Sequence, residues 1–319
     1  MGLAKPELLN NIVFLSPLKG SASLTLGCGL VFGFQAYDEE SARILNHLGK
    51  TMQMLPDNLS KPDTTIQIRK GTADPNRFPF VMRIIASRGL HAAAVDSLPV
   101  SDEEDSANGT VSVYIDSTFC KEDMAFYYLW QLSLPIVHSV EIQGGLLLHG
   151  ALIAKDGYGI ILAGPSEAGK TTASTRIPHP WKTLSDDCAL LIKTGGGGYM
   201  AHPWPTWSRF ICNQGGGTWE IEKAVPLRGI FFLRKSESDG IEEINRAQAA
   251  CMLIESAEQA SAPPEWVEQI EDIRTLRMRR LDNICAFVQS IPSFLLSVSR
   301  VGTFWEVIEK SLGQACVEN

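Results

Sequence analysis

The sequence lacks the features that would place it in a membrane or in a secretory route. No stretch reaches the roughly 18 consecutive apolar residues that a membrane-spanning helix needs. The first residues, MGLAKPELLNN, have no basic segment followed by an apolar run and a small-residue cleavage site, which is the pattern of a signal peptide. These absences predict a cytoplasmic protein that has no membrane partner.

Clusters of cysteine and of basic residues are also missing. The seven cysteines are widely spaced and never form a CxxC pair, so the sequence predicts reduced, mostly buried thiols rather than disulfides or zinc ligands. The formal net charge is -8 and the basic residues are scattered, which argues against DNA or RNA as a main partner. The acidic balance mainly indicates solubility.

The chain changes character near residue 120. Its 319 residues, 45% of them hydrophobic, suffice for two domains. Short apolar runs broken by Gly, Pro and Asn predict a smaller, strand-rich α+β accessory domain over residues 1–120. Substrate recognition is one role that such a domain could have. The predicted strands there are 21–34, 64–69, 78–86 and 110–115, and a helix is predicted over 38–47. Strands and helices interleave afterwards, so residues 121–319 predict an α/β catalytic domain with a mixed sheet.

A hairpin is predicted in the middle of the second domain. A helix is expected from about Glu122 to a stop near Pro135. Two apolar runs, residues 146–153 and 159–162, then flank the turn Lys155-Asp156-Gly157, whose Asp-Gly pair suits a hairpin. The second predicted strand leads directly into a glycine-rich loop.

That loop, GPSEAGKTT, fits the phosphate-binding pattern G-x-x-x-x-G-K-[ST] on a strand-loop-helix background. The glycines let successive N–H groups turn toward phosphate oxygens, Lys170 adds charge near the β and γ phosphates, and the Thr171 hydroxyl can ligate Mg²⁺. The alternative is an ordinary glycine-rich turn. The predicted nucleotide-binding residues are Gly164, Pro165, Ser166, Glu167, Ala168, Gly169, Lys170, Thr171 and Thr172.

Two carboxylates follow the loop at a short distance. Prolines 178 and 180 end the short helix, and Asp186-Asp187 then precede an apolar run. This is the reverse of the order in a motor ATPase or small GTPase, where the Mg²⁺-binding Asp closes the strand. We expect one carboxylate to hold the metal and the other to take a proton from an attacking hydroxyl. The alternative is a solvated turn at a strand entry.

The order LLHG, hairpin, GPSEAGKTT, short helix and LSDD resembles the catalytic domain of HPr kinase/phosphorylase, a P-loop kinase of the phosphoenolpyruvate-carboxykinase-like fold. The resemblance covers roughly residues 140–195. It implies that Lys170 and Thr171 serve phosphate and Mg²⁺, that Asp186 is the catalytic base, and that Asp187 is its metal-side neighbour. His149 matches the family's histidine beside the active carboxylates. The alternative for His149 is a core histidine with its hydrogen bonds satisfied.

Two departures from that family limit what the resemblance implies. Thr172 stands where HPr kinases have Glu, and no E-I-R-G-like signature occurs downstream. Neither the reverse phosphorolysis reaction nor HPr as substrate is therefore expected.

A narrower resemblance covers about residues 140–312. The words AHPWPTWSRF, PLRGIFFL and SVSRVGTFWEVIEKSL are similar to protein C of SynChlorMet gene cassettes, an HPr-kinase-like group. Such cassettes also hold a small precursor peptide, a PqqD-like protein and radical SAM enzymes. The resemblance implies a phosphate acceptor that is a Ser or Thr hydroxyl on a precursor peptide or small carrier protein. The resemblance also leaves open that the PqqD-like and radical SAM proteins are further partners and that the chain forms a homo-oligomer.

The segment AHPWPTWSRF is expected to be irregular and rigid because it holds two prolines. Its indoles either cap the core or line a groove for a peptide or a base, while Arg209 reaches a phosphate. The candidate substrate residues are His202, Trp204, Trp207 and Arg209.

These patterns together predict an ATP-dependent kinase that uses Mg²⁺. Two alternatives stay open, a nucleotide-binding regulator or scaffold without phosphotransfer, and a small-molecule kinase. An acceptor screen with labelled ATP separates them.

Overall fold

In a computed structural model the chain is described over residues 20–56, 61–71, 82–87, 109–116, 125–165, 167–207, 209, 217–261 and 272–315. These residues form a mixed α/β protein with one six-stranded and one eight-stranded sheet. None of the helices in these ranges combines the length and apolar character that a bilayer crossing requires.

The first sheet comes from the N-terminal third of the chain. Its strands lie in the order β3-β1-β2-β4-β6-β5, and only the β2–β4 and β4–β6 pairs are parallel. They are β1 (Ser21–Leu26), β2 (Leu30–Ala36), β3 (Leu55–Pro56), β4 (Thr64–Gly71), β5 (Met82–Ser87) and β6 (Gly109–Asp116). The runs 64–69 and 110–115 are confirmed as strands, and the run 21–34 forms two antiparallel strands, β1 and β2, within the described residues. Part of the run 78–86 lies outside them.

Helix α1 (Glu39–Met52) packs on this sheet. The Asp38 carboxylate accepts from the backbone N–H groups of Glu40 and Ser41, so Asp38 is an N-cap. These hydrogen bonds stabilise the charged form of the carboxyl, and the pKa of Asp38 is lowered although its partial burial acts in the opposite direction. The helix predicted over residues 38–47 is confirmed and runs one turn further.

Helix α2 (Ala125–Ile142) passes through Pro135, where the sequence predicted its end. All residues from 131 to 141 are buried, so packing on every side of the helix offsets the hydrogen bond that Pro135 removes. At its C-terminal end Glu141, 2% exposed as a side chain, accepts from Arg280 at 2.7 Å. The predicted start near Glu122 lies outside the described residues.

The second sheet positions the glycine-rich loop. Its strands are β7 (Leu146–Lys155), β8 (Tyr158–Ala163), β9 (Lys182–Ser185), β10 (Cys188–Lys193), β11 (Tyr199–Trp204), β12 (Val225–Lys235), β13 (Gly240–Glu243) and β14 (Ser293–Val298). The main order is β11-β10-β7-β8-β12-β14-β13, with β9 paired to β7. Strands β8, β12 and β14 are parallel, so their carboxyl ends share one edge of the sheet.

The predicted hairpin is confirmed as β7 and β8. Asp156 and Gly157 both have positive φ (49° and 80°), as a tight two-residue hairpin turn requires. Helices cover both faces of this sheet. Leu253 and Phe287, from α4 (Arg246–Ala260) and α5 (Ile273–Ser290), pack on one face. Ala173 and Ile308, from α3 (Lys170–Arg176) and α6 (Phe304–Ala315), pack on the other.

The two sheets share a continuous core. Apolar side chains of β1, β2 and β4 belong to the same buried cluster as those of α2, β10 and β11. His202 joins the sheets by hydrogen bonds, since its Nε2 accepts from the Gly27 N–H at 3.0 Å and its Nδ1 lies 2.6 Å from the Ile221 carbonyl oxygen. The predicted boundary near residue 120 falls between β6 and α2, and the division into two domains stays a prediction.

Candidate functional site

The glycine-rich loop joins the end of β8 to the start of α3. Gly164, Glu167 and Gly169 have φ of 147°, 66° and 99°, so the backbone turns repeatedly within six residues. A Cβ on Gly164 would lie 3.0 Å from the Ala168 Cβ and 3.5 Å from the Leu233 backbone. The loop therefore needs glycine at its first position for conformation and for close approach to β12.

Lys170 lies against the inside of this loop. Its Nζ donates to the carbonyl oxygens of Gly164 at 2.8 Å and Pro165 at 3.0 Å, and the residue is 7% exposed. Burial lowers the pKa of Lys170, while the negative charges of Asp187 and, more weakly, Glu255 act in the opposite direction. Both carboxylates thus lie close enough to the ammonium group to influence it.

His149 and Asp187 meet beside this lysine. The His149 Nδ1 lies 3.3 Å from the Asp187 Oδ1, and the Gly150 N–H donates to the Asp187 carbonyl oxygen at 2.8 Å. Burial lowers the pKa of His149, although the attraction of Asp187 opposes the shift. Burial thus favours the neutral imidazole, and the contact with Asp187 favours the charged one.

Asp186 has different neighbours from Asp187. Its Oδ1 accepts from the Thr206 hydroxyl at 2.6 Å, its Oδ2 accepts from the Arg209 guanidinium, and the side chain is 14% exposed. Thr206 and Arg209 belong to one turn, closed by a backbone hydrogen bond of 3.1 Å. Of the two carboxylates beside which the resemblance places His149, the structure therefore shows this histidine in contact with Asp187.

The segment 201–207 is not the irregular stretch that its prolines predicted. His202 and Trp204 lie in β11, and Trp207 follows shortly after it. The three residues are 0%, 1% and 7% exposed, so their rings pack in the core and offer little surface to a substrate. Of the four candidate substrate residues, only Arg209 has a substantially exposed side chain, at 40%.

Helix α4 contributes two residues that the sequence analysis did not single out. The Ser256 hydroxyl donates to the His149 carbonyl oxygen at 3.0 Å, which fixes the helix against β7 at the site. The preceding residue, Glu255, carries the charge that acts on Lys170, and its Oε1 accepts from the Gln259 amide at 3.2 Å. The 73 residues between Thr172 and Arg246 separate this helix from the glycine-rich loop, and no local motif marks it.

The structure therefore brings together the loop, Lys170, His149 and Asp187, with Asp186 and Arg209 alongside. Ser166 lies outside the described residues, and Thr172 is exposed on α3. Thr171 and Asp187 present exposed or half-buried oxygen atoms next to the loop, which is the kind of donor that Mg²⁺ prefers. These residues fit the metal that the phosphate-loop pattern implies.

Comparison with known families matches part of this chain. The family model described as SynChlorMet cassette protein ScmC matches residues 114–313. This range includes the glycine-rich loop and the two adjacent aspartates, Asp186 and Asp187. No curated protein is significantly similar to the chain.

Proposed function

The chain belongs to the family of the SynChlorMet cassette protein ScmC, and from this premise we propose that it is an ATP-dependent phosphotransferase. Its acceptor in this proposal is a Ser or Thr hydroxyl on the precursor peptide or a small carrier protein of such a cassette. The resemblance of its motifs to HPr kinase supports the reaction class, and the phosphoenolpyruvate-carboxykinase-like fold is proposed with it.

One observation carries the proposal. The loop between β8 and α3 has glycines where the backbone turns, a lysine held inside it, and the Asp187 carboxylate near that lysine. Phosphoryl transfer needs an anion cradle and a metal-binding carboxylate within reach of the same phosphates. A glycine-rich turn without a ligand would have no reason to bring both together.

The binding residues take separate tasks. Backbone N–H groups of the loop and the Lys170 ammonium hold the β and γ phosphates, once Lys170 exchanges the carbonyl oxygens of Gly164 and Pro165 for phosphate oxygens. Thr171 and Asp187 would hold Mg²⁺, which when bound neutralises charge on the transferred phosphoryl group. His149 keeps the Asp187 carboxylate oriented through their contact.

Asp186 accepts the proton of the attacking hydroxyl in this proposal, and Arg209 controls when it can do so. Both Asp186 oxygens already accept hydrogen bonds, so in the arrangement seen neither oxygen is free to accept from an attacking hydroxyl. Arg209 is 40% exposed and carries a charge that phosphate attracts. Movement of the Arg209 guanidinium from Asp186 to the γ phosphate would leave Asp186 Oδ2 free to accept from the attacking hydroxyl. Thr206 would still orient Oδ1.

The ion pair between Asp186 and Arg209 also favours a second candidate function, a nucleotide-binding regulator or scaffold. A protein that binds nucleotide without transferring phosphate needs no free carboxylate, and Asp186 tied to Arg209 suits that role. A small-molecule kinase would share every residue discussed, and only the acceptor differs.

The test uses the full chain with Mg²⁺, γ-labelled ATP and the precursor peptide encoded in the same cassette. We expect label on a Ser or Thr of the peptide, located by mass spectrometry, and no label with the Lys170→Ala variant. Lys182→Ala, which changes an exposed lysine of β9, is the matched control and should label normally. Calorimetric binding of Mg·ATP without any labelled acceptor would support the regulator. Absence of binding heat would overturn nucleotide binding altogether.

A further inference from the structure

His149, Asp187 and Cys188 place a nitrogen, an oxygen and a sulfur atom close together. One ligand atom from each residue lies within 4.8 Å of the other two. The His149 Nδ1 is 3.3 Å from the Asp187 Oδ1, and the Cys188 Sγ is 3.8 Å from the Asp187 Oδ2. No other group of three His, Cys, Asp or Glu residues within the described ranges meets this criterion.

The fold fixes this arrangement through the second sheet. His149 in β7 and Cys188 in β10 are directly opposite each other in an antiparallel pair, so their side chains lie on the same face. Asp187 precedes Cys188, and its carbonyl oxygen is bonded to the Gly150 N–H of β7. Ligands that stand on two hydrogen-bonded strands are held more rigidly than ligands on loops.

The separations come close to those around a small tetrahedral cation, since the 3.3 Å contact between His149 and Asp187 fits directly and the full set, within 4.8 Å, needs only small side-chain movements to close. Zinc lies about 2.0–2.2 Å from nitrogen or oxygen ligands and about 2.3 Å from sulfur, which puts neighbouring ligand atoms about 3.3–3.7 Å apart. A set that contains sulfur suits zinc and similar cations and does not suit Mg²⁺. We propose that His149, Asp187 and Cys188 form a three-ligand site for Zn²⁺ or a similar thiophilic divalent cation, with its fourth position open.

The charges of such a site are balanced. The carboxylate of Asp187 and the thiolate of Cys188 offset the two charges of the cation, and His149 binds as the neutral imidazole. The Cys188 thiol gives its proton to solvent when the cation binds, so binding releases one proton. The nearby Lys170 ammonium disfavours the cation, which makes occupancy dependent on where that lysine lies. Cys188 thus has a role that spacing alone could not indicate, because its partners lie in another strand.

One consequence rests on the proposed function. Asp187 belongs both to this site and to the proposed Mg²⁺ site, so a zinc ion there would compete with Mg·nucleotide. The site would make nucleotide binding sensitive to free zinc.

Titration of the full chain with Co²⁺, used as a spectroscopic substitute for zinc, tests the site. We expect a thiolate-to-cobalt charge-transfer band that Zn²⁺ removes by displacement. The band should vanish in Cys188→Ser and Cys188→Ala, with affinity lowered at least about 100-fold, since even an outer-shell change costs 10–100-fold. Cys251→Ser and Cys285→Ser, which change exposed thiols, are matched controls and should keep the band. Circular dichroism confirms that each variant is folded.

Two further variants keep the test decisive. Asp187→Asn should weaken cobalt binding but retain the thiolate band, and a variant whose one remaining cysteine is Cys188 should bind like the wild type. No band with the wild-type chain, or a band that survives loss of Cys188, overturns the site.

Mg·ADP calorimetry with and without Zn²⁺ then separates the two proposals. A Cys188-dependent cobalt site in a chain that never binds Mg·ADP would leave the metal site standing and overturn the nucleotide function.

Discussion

Asp186 and Asp187 are adjacent in sequence, yet their surroundings give them different chemistry. Asp186 has both oxygens engaged by Thr206 and Arg209, whereas Asp187 is half-buried beside His149 and Lys170. An attacking hydroxyl can reach the Asp186 Oδ2 only after the Arg209 guanidinium has moved away from it. The division of tasks that the resemblance implies for the two acids agrees with these contacts, which place Asp187 beside His149 and Lys170 and Asp186 against Arg209.

Lys170→Ala should weaken Mg·ATP binding. The ammonium supplies charge-assisted hydrogen bonds to phosphate, each of about 1.5–3 kcal/mol, so the dissociation constant should rise roughly 10- to 100-fold. Isothermal calorimetry measures the change. Unaltered affinity would show that Lys170 serves only the loop carbonyl oxygens to which it now donates.

Asp186→Asn and Asp187→Asn should have opposite effects. Asp186→Asn should leave Mg·ADP affinity within about twofold and abolish phosphate transfer, since Asn cannot accept the proton. Asp187→Asn should remove the dependence of nucleotide affinity on Mg²⁺, because a metal ligand is lost. Calorimetry at several Mg²⁺ concentrations and labelled-ATP transfer check the pair. Full transfer by Asp186→Asn would exclude it as the base.

At the scale of elements, sequence patterns with a local cause are confirmed. Asp156-Gly157 adopts the positive φ values that a hairpin turn needs, and Asp38 caps α1, because both effects depend on neighbours in the chain. Where tertiary packing decides the secondary structure, the prediction from sequence is wrong. Burial keeps α2 helical past Pro135. Pro203 lies in β11 at a position that pairs with β10 on one side and not with β12, which is where a strand tolerates proline.

Helix α4 is the part of the site that sequence reasoning missed. Nothing in its composition indicates that Ser256 donates to the His149 carbonyl oxygen, a contact across 107 positions. The same limit applies to Cys188, whose partner His149 is set by strand register. The loop motif and the Asp pair were visible in the sequence because each is contiguous.

Ser256→Ala should destabilise the protein by about 1 kcal/mol, because the buried carbonyl oxygen of His149 loses a donor. Urea unfolding monitored by circular dichroism measures the free energy. Ser290→Ala changes an exposed serine at the end of α5 and should stay within about 0.5 kcal/mol of the wild type. Equal effects of the two variants would mean that the contact with β7 contributes nothing specific.

For the whole molecule, His202 is a buried polar link between the two sheets. Its Nε2 accepts from the Gly27 N–H, so a proton on Nε2 would face another N–H across 3.0 Å. Burial lowers the pKa of His202 in the folded protein, although the hydrogen bond to the Ile221 carbonyl opposes the shift. The unfolded chain therefore binds this proton more readily than the folded one.

The free energy of unfolding should consequently fall as the solution becomes acidic. The His202 contribution is fully present above about pH 6.5 and is lost as the pH falls below that value, by at most about 1.4 kcal/mol at pH 5.5. His202→Gln keeps a donor and an acceptor without a titrating group, so its loss between pH 7.5 and 5.5 should be smaller. His47 and His149, whose pKa values burial also lowers, contribute equally to both proteins. Urea unfolding at the two pH values gives the comparison, and identical losses would refute the role of His202.

The position of β8 between β7 and β12 has a consequence for biosynthesis. One neighbour of β8 precedes it in the chain, while the other begins at Val225, about 60 residues later. At roughly 5–20 residues per second, a ribosome needs several seconds to deliver it. During that interval the apolar edge of β8 stays open on the nascent polypeptide, where chaperones can bind it, and the glycine-rich loop lacks the support of β12 until that strand has been made.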